Sequence, residues 1–408
     1  MDKKRAFKLI IFFGLVSLFG DIVYEGARSV NGPFLNILGA SAALVGLIAG
    51  VGEFSGYALR LVSGYVSDRS GLRWFLVILG YIMLAAVPLL SLAGHWQLAA
   101  CLIITERIGK AVRSPARDTI VSQAAKEVGT GWGFGITEAM DQVGALSGPL
   151  IFTGLFFFIG TAGRELKAYQ QGYALLWLPF VLLLICVFAA YRRFPHSEQA
   201  RTDNPENSKS GKFPKVFWLY IAFTFVATMG FANFLLLGYH FKVKHIFSDA
   251  LIPLMYAIAM GVDGVTALII GKAYDILKKK NNQTAGLTTL IVIPVFSIAL
   301  AVFAFSGNFL LAVCGMIFWG VVMGAHETIM RSAIADITHI NRRGAGYGIF
   351  NAGYGLAMFL GSIALGLLYD YSHMFVIIAV TVIEVIALFL FFLLRNEALT
   401  FSDNGGVA

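Results

Sequence analysis

The hydrophobic positions of the chain fall into twelve long runs, separated by polar or turn-forming residues. A helix needs about 20 mostly apolar residues to cross roughly 30 Å of hydrocarbon. Because every backbone group in lipid needs an internal partner, runs of this length predict helices. The predicted spans are 7–36, 42–66, 73–93, 96–117, 130–158, 171–191, 216–241, 249–273, 285–306, 309–333, 345–368 and 373–395.

The composition supports an all-α protein embedded in a lipid bilayer. Hydrophobic residues make up 58% of the 408 positions, and charged residues only 13%, against about 25% in a soluble domain. This balance excludes a cytosolic enzyme, a disordered chain and a disulfide scaffold. Cys101, Cys186 and Cys314 lie far apart inside apolar runs, without metal-ligand spacing, so we expect no metal site and no cofactor.

The basic residues predict the orientation. With the N-terminus in the cytoplasm, 22 of the 31 Lys and Arg fall in cytoplasmic segments and only four in outer loops. This asymmetry is the usual pattern of membrane proteins, so the net charge of +8 does not indicate a nucleic-acid partner. We expect a multi-pass protein of the cytoplasmic (inner) membrane with both termini inside.

The polar, Pro-containing segment 194–215 predicts a cytoplasmic linker between two six-helix bundles, 1–193 and 216–408. The two halves repeat each other in order, with matching motifs separated by 207 to 218 residues. Such copies, six helices apart, indicate a parallel repeat. The pairs are Gly64-x-x-x-Asp68 with Gly271-x-x-x-Asp275, Arg113-Ser114 before Asp118 with Arg331-Ser332 before Asp336, and Gly133-Phe-Gly135 with Gly346-Tyr-Gly348.

The loop after the second span carries a family resemblance. It reads Gly64-Tyr-Val-Ser-Asp68-Arg69-Ser-Gly71-Leu-Arg73, which fits the G-x-x-x-D-R-x-G-x-R signature of the major facilitator superfamily at every specified position. The resemblance covers the whole chain. It implies twelve helices in two pseudosymmetric bundles that rock around a central site, with Asp68 stabilising one closed state of the cytoplasmic side.

The fifth span contains Gly144-x-x-x-Gly148-Pro149, which resembles the antiporter signature of that family. The Gly pair with which the family form usually continues is missing, since Leu150, Ile151 and Phe152 follow. The same residues also suit a purely structural role. Small residues let two helices approach closely, and a proline bends a helix by removing one backbone hydrogen bond.

Ionisable residues inside the spans predict a transport path, because charges in the bilayer are costly and usually face an aqueous cavity. In the first span, Glu25 and Arg28 lie four and seven residues after Asp21, on one helix face. They suit a proton acceptor beside a permanent charge, or a self-contained structural ion pair. The candidate cavity residues are Asp21, Glu25, Arg28, Glu53, Glu106, Arg107, Glu138, Asp141, Asp263, His326 and Glu327.

We therefore expect a secondary transporter of a small organic solute, coupled to protons, acting as an exporter (antiporter) and as a monomer. Arg107 resembles the arginine in the fourth helix of the family's proton-linked exporters. The alternative is a proton-coupled importer of an anionic metabolite, for which Arg28 and Arg107 would supply the charge. A membrane-embedded enzyme or a channel is disfavoured, because the sequence shows no nucleotide-binding or nucleophile motif and has duplicated halves.

Overall fold

The computed structural model describes residues 2–195, 213–280, 285–339 and 342–403, and all regular structure in these ranges is helical. Twelve helices follow one another there, as the apolar runs predict. They are α1 (Lys3–Arg28), α2 (Ala42–Ser70), α3 (Arg73–Leu92), α4 (Trp96–Val128), α5 (Thr130–Ile159), α6 (Glu165–Arg193), α7 (Lys215–Val243), α8 (Leu251–Lys280), α9 (Ala285–Ala304), α10 (Phe309–Ile337), α11 (Arg343–Tyr371) and α12 (His373–Asp403).

Three of the predicted spans are interrupted, one of them by the single residue Leu176 within α6. The run 7–36 becomes α1 and a separate short helix, Asn31–Ile37, while α7 breaks at residues 231–233. Trp319 Nε1 donates a hydrogen bond of 3.1 Å to the Ala232 carbonyl, which satisfies one backbone acceptor that the break leaves free. Continuous hydrophobicity marks a run as buried in the bilayer and does not register such breaks.

Helix α4 is the most charged of the twelve. The other eleven are apolar enough to count as candidate spans by composition alone. Helix α4 carries Glu106, Arg107, Lys110 and Arg113, and it extends eleven residues beyond the predicted end at 117. The extension is a helix because its apolar residues recur on one buried face. They are Ile120, Val121, Ala124 and Ala125.

Glycines in a left-handed conformation separate two consecutive helix pairs. Gly71 (φ +68°) lies between α2 and α3, and Gly129 (φ +116°) lies between α4 and α5. A residue with a Cβ is strained at such angles, so these positions favour glycine. Helix α10 begins differently, since Asn308 Oδ1 accepts hydrogen bonds from the N–H groups of Leu310 and Leu311.

The chain forms two compact units, each of which contains segments from both sides of residues 194–215. Unit 1 comprises 1–41, 51–203 and 238–257, and unit 2 comprises 42–50, 204–237 and 258–408. Residues 196–212 of the predicted linker lie outside the described ranges. The division into bundles 1–193 and 216–408 stays a prediction.

The first turns of α2 belong to unit 2 for a local reason. The carboxylate of Asp370, at the end of α11, accepts hydrogen bonds from the N–H groups of Ala42 (2.9 Å) and Ala43 (3.0 Å). A Cβ added at Gly46 would lie 2.2 Å from the Ser362 carbonyl oxygen, so backbone packs on backbone there. Asp370 thus caps the N-terminus of a helix that begins 328 residues earlier in the chain.

In unit 1, α1 packs against α5 through glycine. A Cβ at Gly144 would lie 2.5 Å from the Leu18 carbonyl oxygen, and one at Gly148 would lie 2.5 Å from that of Ile22. Gly26 on α1 approaches Gly148 reciprocally. The Gly144-x-x-x-Gly148 spacing therefore presents two positions without a side chain to the backbone of α1, as close helix packing requires.

Candidate functional site

A cluster of buried charges in unit 1 joins α1, α2 and α4. Glu53 accepts from Arg107, whose Nη2 lies 3.0 Å from Oε1, and the same oxygen lies 3.6 Å from Arg28 Nη2. Arg28 Nη1 lies 3.8 Å from Glu25 Oε1. Arg107 is therefore held by a hydrogen-bonded ion pair, whereas the two contacts of Arg28 are too long for hydrogen bonds.

The ring of Tyr24 is the centre of this cluster. Arg107 Nη1 donates a hydrogen bond to its hydroxyl oxygen. Three cations lie over its face, with Arg28 Cζ at 5.8 Å, Arg107 Cζ at 5.0 Å and Lys110 Nζ at 3.8 Å from the ring centroid. One aromatic ring thus gathers the positive groups of α1 and α4 by cation–π attraction.

Two further groups complete the cluster. The hydroxyl group of Tyr256, on α8, donates a hydrogen bond to Glu25 Oε2. Glu106 is 4% exposed, its Oε2 lies 3.7 Å from Arg107 Nε, and its Oε1 has no hydrogen-bond partner among the described residues. A buried carboxylate oxygen without a donor is costly, so Glu106 Oε1 is a candidate acceptor for a hydrogen bond from a solute.

Asp21 and Asp141 form a separate carboxyl pair between α1 and α5. The charges of Asp141 and Lys110 are near enough to act on the carboxyl group of Asp21. Helix α1 comes this near to α5 because Gly144 has no side chain, so that a Cβ there would lie 3.0 Å from Asp21 Cβ. Two adjacent carboxyls repel each other when both are ionised, and one shared proton removes the repulsion. Glu138, one turn before Asp141, is exposed.

The predicted residues of the second half lie on two helices in contact, α8 and α10. Asp263 is 1% exposed on α8, where its carbonyl oxygen packs on Gly324 of α10. His326 is 3% exposed, its Nδ1 lies 3.1 Å from the Tyr354 hydroxyl and its ring packs against Phe231. Glu327, the next residue, is exposed. Asp263 and His326 are therefore buried, whereas Glu327 is exposed.

The signature after α2 is described in part, since the side chain of Asp68 lies outside the described residues. Gly64 faces Pro115 of α4, Arg69 is exposed over the ring of Tyr65, and Arg73 is 3% exposed at the start of α3. Gly71 supplies the left-handed turn between them. The predicted loop is thus mostly the helical end of α2, with the turn confined to residues 71 and 72, and one of the two arginines is buried.

The second copy of the signature lies beside an ion pair that the sequence analysis did not predict. Asp275 is exposed and Gly271 faces Thr328 of α10. Asp336, at the end of α10, instead accepts hydrogen bonds from Lys278 Nζ (2.5 Å) and the Tyr274 hydroxyl (2.8 Å). In the first half, Asp118 pairs with its own neighbour Arg117 at 3.0 Å.

A charged contact between α6 and the region where α7 leads into α8 was also missed. Lys242 Nζ lies 2.8 Å from Asp249 Oδ1 and 3.0 Å from Glu165 Oε2, and Tyr169 donates a 2.7 Å hydrogen bond to Asp249. Lys242 is only 8% exposed. Tyr169 and Asp249 are 80 residues apart in the chain, so no spacing rule joins them.

The site also includes residues that sequence reasoning did not select, above all Tyr24 and Tyr256. Tyr24 had a usable signal, because it lies four residues before Arg28 on the same face of α1. Tyr256 had none, since its partner Glu25 is 231 residues away.

A bundle of apolar helices with buried carboxylates, arginines and tyrosines at one place defines a membrane transport protein by its architecture and polar interior. The sequence profile of the Major Facilitator Superfamily matches residues 13–339 and 293–405. The chain belongs to the Major Facilitator Superfamily and is therefore a secondary transporter rather than an enzyme.

Relatives and solved structures agree with this assignment. An uncharacterized protein of Mycobacterium tuberculosis is 39% identical over 396 residues, which cover 96% of this chain and 93% of the relative. An uncharacterized MFS-type transporter of Methanocaldococcus jannaschii is 23% identical over 90% of this chain and 89% of its own length. The crystal structure of a bacterial homologue of the human lysosomal transporter Spinster superposes with a TM-score of 0.75 at 16% identity, covering 98% of this chain and 99% of that one. This likeness concerns the fold.

Proposed function

We propose that the protein is a proton-coupled exporter of a small organic solute, with the carboxyl pair Asp21–Asp141 as its proton-carrying group. The observation that supports this most directly is the close approach of α1 to α5 at Gly144, where a Cβ would lie 3.0 Å from Asp21 Cβ, which brings Asp21 near enough to Asp141 and Lys110 for their charges to act on one another. With one shared proton the pair is singly charged. Without it the pair carries two charges that only a cation can offset.

Lys110 is the cation suited to offset the second negative charge when the Asp21–Asp141 pair loses its proton. Its ammonium lies over the Tyr24 ring, and no described ion pair includes it. When the pair loses its proton, Lys110 gains an attractive partner and leaves the ring. When the pair is protonated, the ring holds Lys110 again. The proton is thereby linked through Tyr24 to the charged cluster, which comprises Glu25, Arg28, Glu53 and Arg107.

The charge balance of the cluster supports export of a neutral or cationic solute over import of an anion. Arg107 and Arg28 both contact Glu53, and Glu25 and Glu106 lie beside them. An anionic solute would have to displace these carboxylates. A cationic solute would meet acidic groups, and a proton bound in its place would leave the charge of the site unchanged.

Transport also requires contacts that open and close. We propose that the Asp370 cap on α2 and the Lys242–Asp249–Glu165 contact lie on the outer side and break when the site opens there. The turn at Gly64–Arg73, with Asp68, acts on the inner side. This orientation follows from the basic-residue asymmetry, with both termini and segment 194–215 in the cytoplasm and the protein working as a monomer in the cytoplasmic membrane.

The coupling is tested in proteoliposomes with a pH-sensitive dye inside and a panel of neutral and cationic solutes. Addition of a transported solute on one side is expected to drive protons from the other side towards it, opposite to the movement of the solute. Asp21→Asn and Asp141→Asn should abolish this proton movement while downhill solute exchange persists. The matched control is Glu138→Gln, which neutralises an exposed acid on the same helix as Asp141 and should behave as wild type.

Three results would contradict the proposal. Normal proton movement in the double variant Asp21→Asn/Asp141→Asn would remove the pair from coupling. Protons moving in the same direction as the solute would indicate the importer. Loss of solute exchange together with proton movement would mean that the pair serves binding or folding, and size-exclusion profiles of the variants distinguish these two roles.

The orientation has an independent test. A single cysteine in place of Ser208, in a background without Cys101, Cys186 and Cys314, should resist an impermeant maleimide in intact cells and react after lysis. Labelling in intact cells would place the 194–215 segment outside and overturn the assignment of the inner side.

A further inference from the structure

A cavity at the start of α1 lies apart from the charged cluster. It has a volume of about 500 Å³ and opens to the surface. Its walls come from the first two turns of α1 and from the junction of α4 with α5. The lining residues are Lys3, Lys4, Phe7, Lys8, Val128 and Trp132.

The charge of this cavity is positive. Its three lysines are exposed, and none of them takes part in a described ion pair. The acids next to the lining residues in the chain, Asp2 and Glu127, are matched by Arg5 and Lys126, so the charge of the lysines stays in excess. Neither α1 nor α5 has an acidic residue in its first turn, and the partial positive charge of the two helix N-termini adds to that of the lysines. The ligand that fits carries negative charge.

The rest of the lining is apolar and held in place. Trp132 is 65% exposed and Phe7 is 40% exposed, although both border the cavity. Trp132 is positioned by the turn at Gly129 and by Gly133, where a Cβ would lie 2.9 Å from Ala125 Cβ. Aromatic rings at the end of a spanning helix mark the level of the lipid headgroups.

We propose that this cavity binds an acidic phospholipid of the cytoplasmic leaflet. The phosphate and its headgroup lie among Lys3, Lys4 and Lys8, while the glycerol and the start of the acyl chains pack on Phe7 and Trp132. A free anion would use the lysines but not the exposed aromatic rings. The inference rests on the orientation proposed above and is independent of the proton-coupling pair. Basic pockets between helices on this side of a membrane suit such headgroups.

The experiment measures lipid binding by native mass spectrometry of the full-length, detergent-solubilised protein. Phosphatidylglycerol, phosphatidylcholine and inorganic phosphate are titrated separately. Wild type is expected to bind phosphatidylglycerol in preference to the other two. The variant Lys3→Gln/Lys4→Gln/Lys8→Gln should lose affinity for phosphatidylglycerol on the order of 100-fold, because each lysine near an anionic lipid contributes about fivefold.

The matched control removes the same charge from exposed basic positions on other helices. Arg192→Gln/Lys272→Gln/Arg395→Gln should bind phosphatidylglycerol as wild type does. Trp132→Ala should weaken phosphatidylglycerol binding without changing its dependence on salt, since it removes apolar contact only.

Equal loss in the two triple variants would show attraction by net charge and overturn the site. Binding of inorganic phosphate as strong as that of phosphatidylglycerol would replace the lipid by a free anion. Equal binding of phosphatidylcholine would exclude charge recognition. Because transport is not measured, none of these results depends on whether Asp21 and Asp141 carry the proton.

Discussion

The two repeats pack their helices alike but use charge differently. In the first, Glu25, Arg28, Glu53 and Arg107 gather around Tyr24. In the second, the described buried side-chain contacts include His326 with Tyr354, among aromatic rings, and Asn233 with Ser362. The two halves therefore share close helix packing, whereas their buried polar residues differ. The buried charges of the first half make it the better candidate for proton coupling.

Helix packing shows what the repeats share. Gly148 on α5 and Gly361 on α11 are 213 residues apart, the same offset as between Gly135 and Gly348. A Cβ at Gly148 would lie 2.5 Å from the Ile22 carbonyl oxygen, and one at Gly361 would lie 2.2 Å from the Met229 carbonyl oxygen. Each glycine lets its helix touch the first helix of its own half.

The largest effects are expected from these two glycines. Gly148→Ala and Gly361→Ala should each prevent recovery of a monodisperse protein, because the added methyl group meets a carbonyl oxygen that cannot move away without separating the helices. Overpacking of this kind costs about 1–3 kcal/mol or more. Fluorescence-detected size exclusion in detergent measures the folded fraction.

The matched controls are Gly154→Ala on α5, where nothing lies within 4 Å, and Gly353→Ala on α11, where the nearest atom lies at 4.0 Å. Both should fold normally. If only one of Gly148→Ala and Gly361→Ala is harmful, the two halves are not packed alike and the comparison fails.

The next effect concerns the charged cluster. Glu53→Gln should lower the free energy of unfolding by about 3–5 kcal/mol, because it leaves Arg107 without its hydrogen-bonded partner in a largely buried place. Tyr354→Phe in the second half removes one neutral hydrogen bond and should cost about 1 kcal/mol. Thermal unfolding of the purified variants gives both values.

The double variant Glu53→Gln/Arg107→Gln serves as the control for an uncompensated charge. It should be more stable than the sum of the single variants implies, since it removes both members of the pair. Additive losses would show that Glu53 and Arg107 do not depend on each other, and equal losses in both halves would erase the contrast between them.

The smallest effects on stability are expected at Asp336 and Asp118, which occupy matching positions in the two halves. Asp336 is 12% exposed and bonded to Lys278 and Tyr274, so Asp336→Asn should cost about 1–3 kcal/mol. Asp118 is 57% exposed and pairs only with Arg117 among the described residues, so Asp118→Asn should change stability by about 0.5 kcal/mol or less. Thermal unfolding measures both changes, and a larger loss at Asp118 than at Asp336 would contradict the asymmetry.

The sequence determined the fold class and the family. Long apolar runs predict helices because lipid offers no hydrogen bonds to the backbone, and the signature Gly64–Arg73 identifies the superfamily. It also placed Glu25, Arg28 and Glu53 on the right helices, since a charge inside an apolar span is rare enough to stand out. These are properties of one helix at a time.

Only the tertiary structure decided which of those charges meet. It joined Glu53 of α2 to Arg107 of α4, put Asp21 beside Asp141, and left Glu138 and Glu327 exposed. It also added Tyr24, Tyr256 and Asp370, whose partners lie 83, 231 and 328 residues away. The reason is physical: periodicity fixes the face of a helix on which a side chain lies, whereas the neighbour of that face depends on how closely two helices approach, and here single glycines such as Gly144 and Gly148 set that distance.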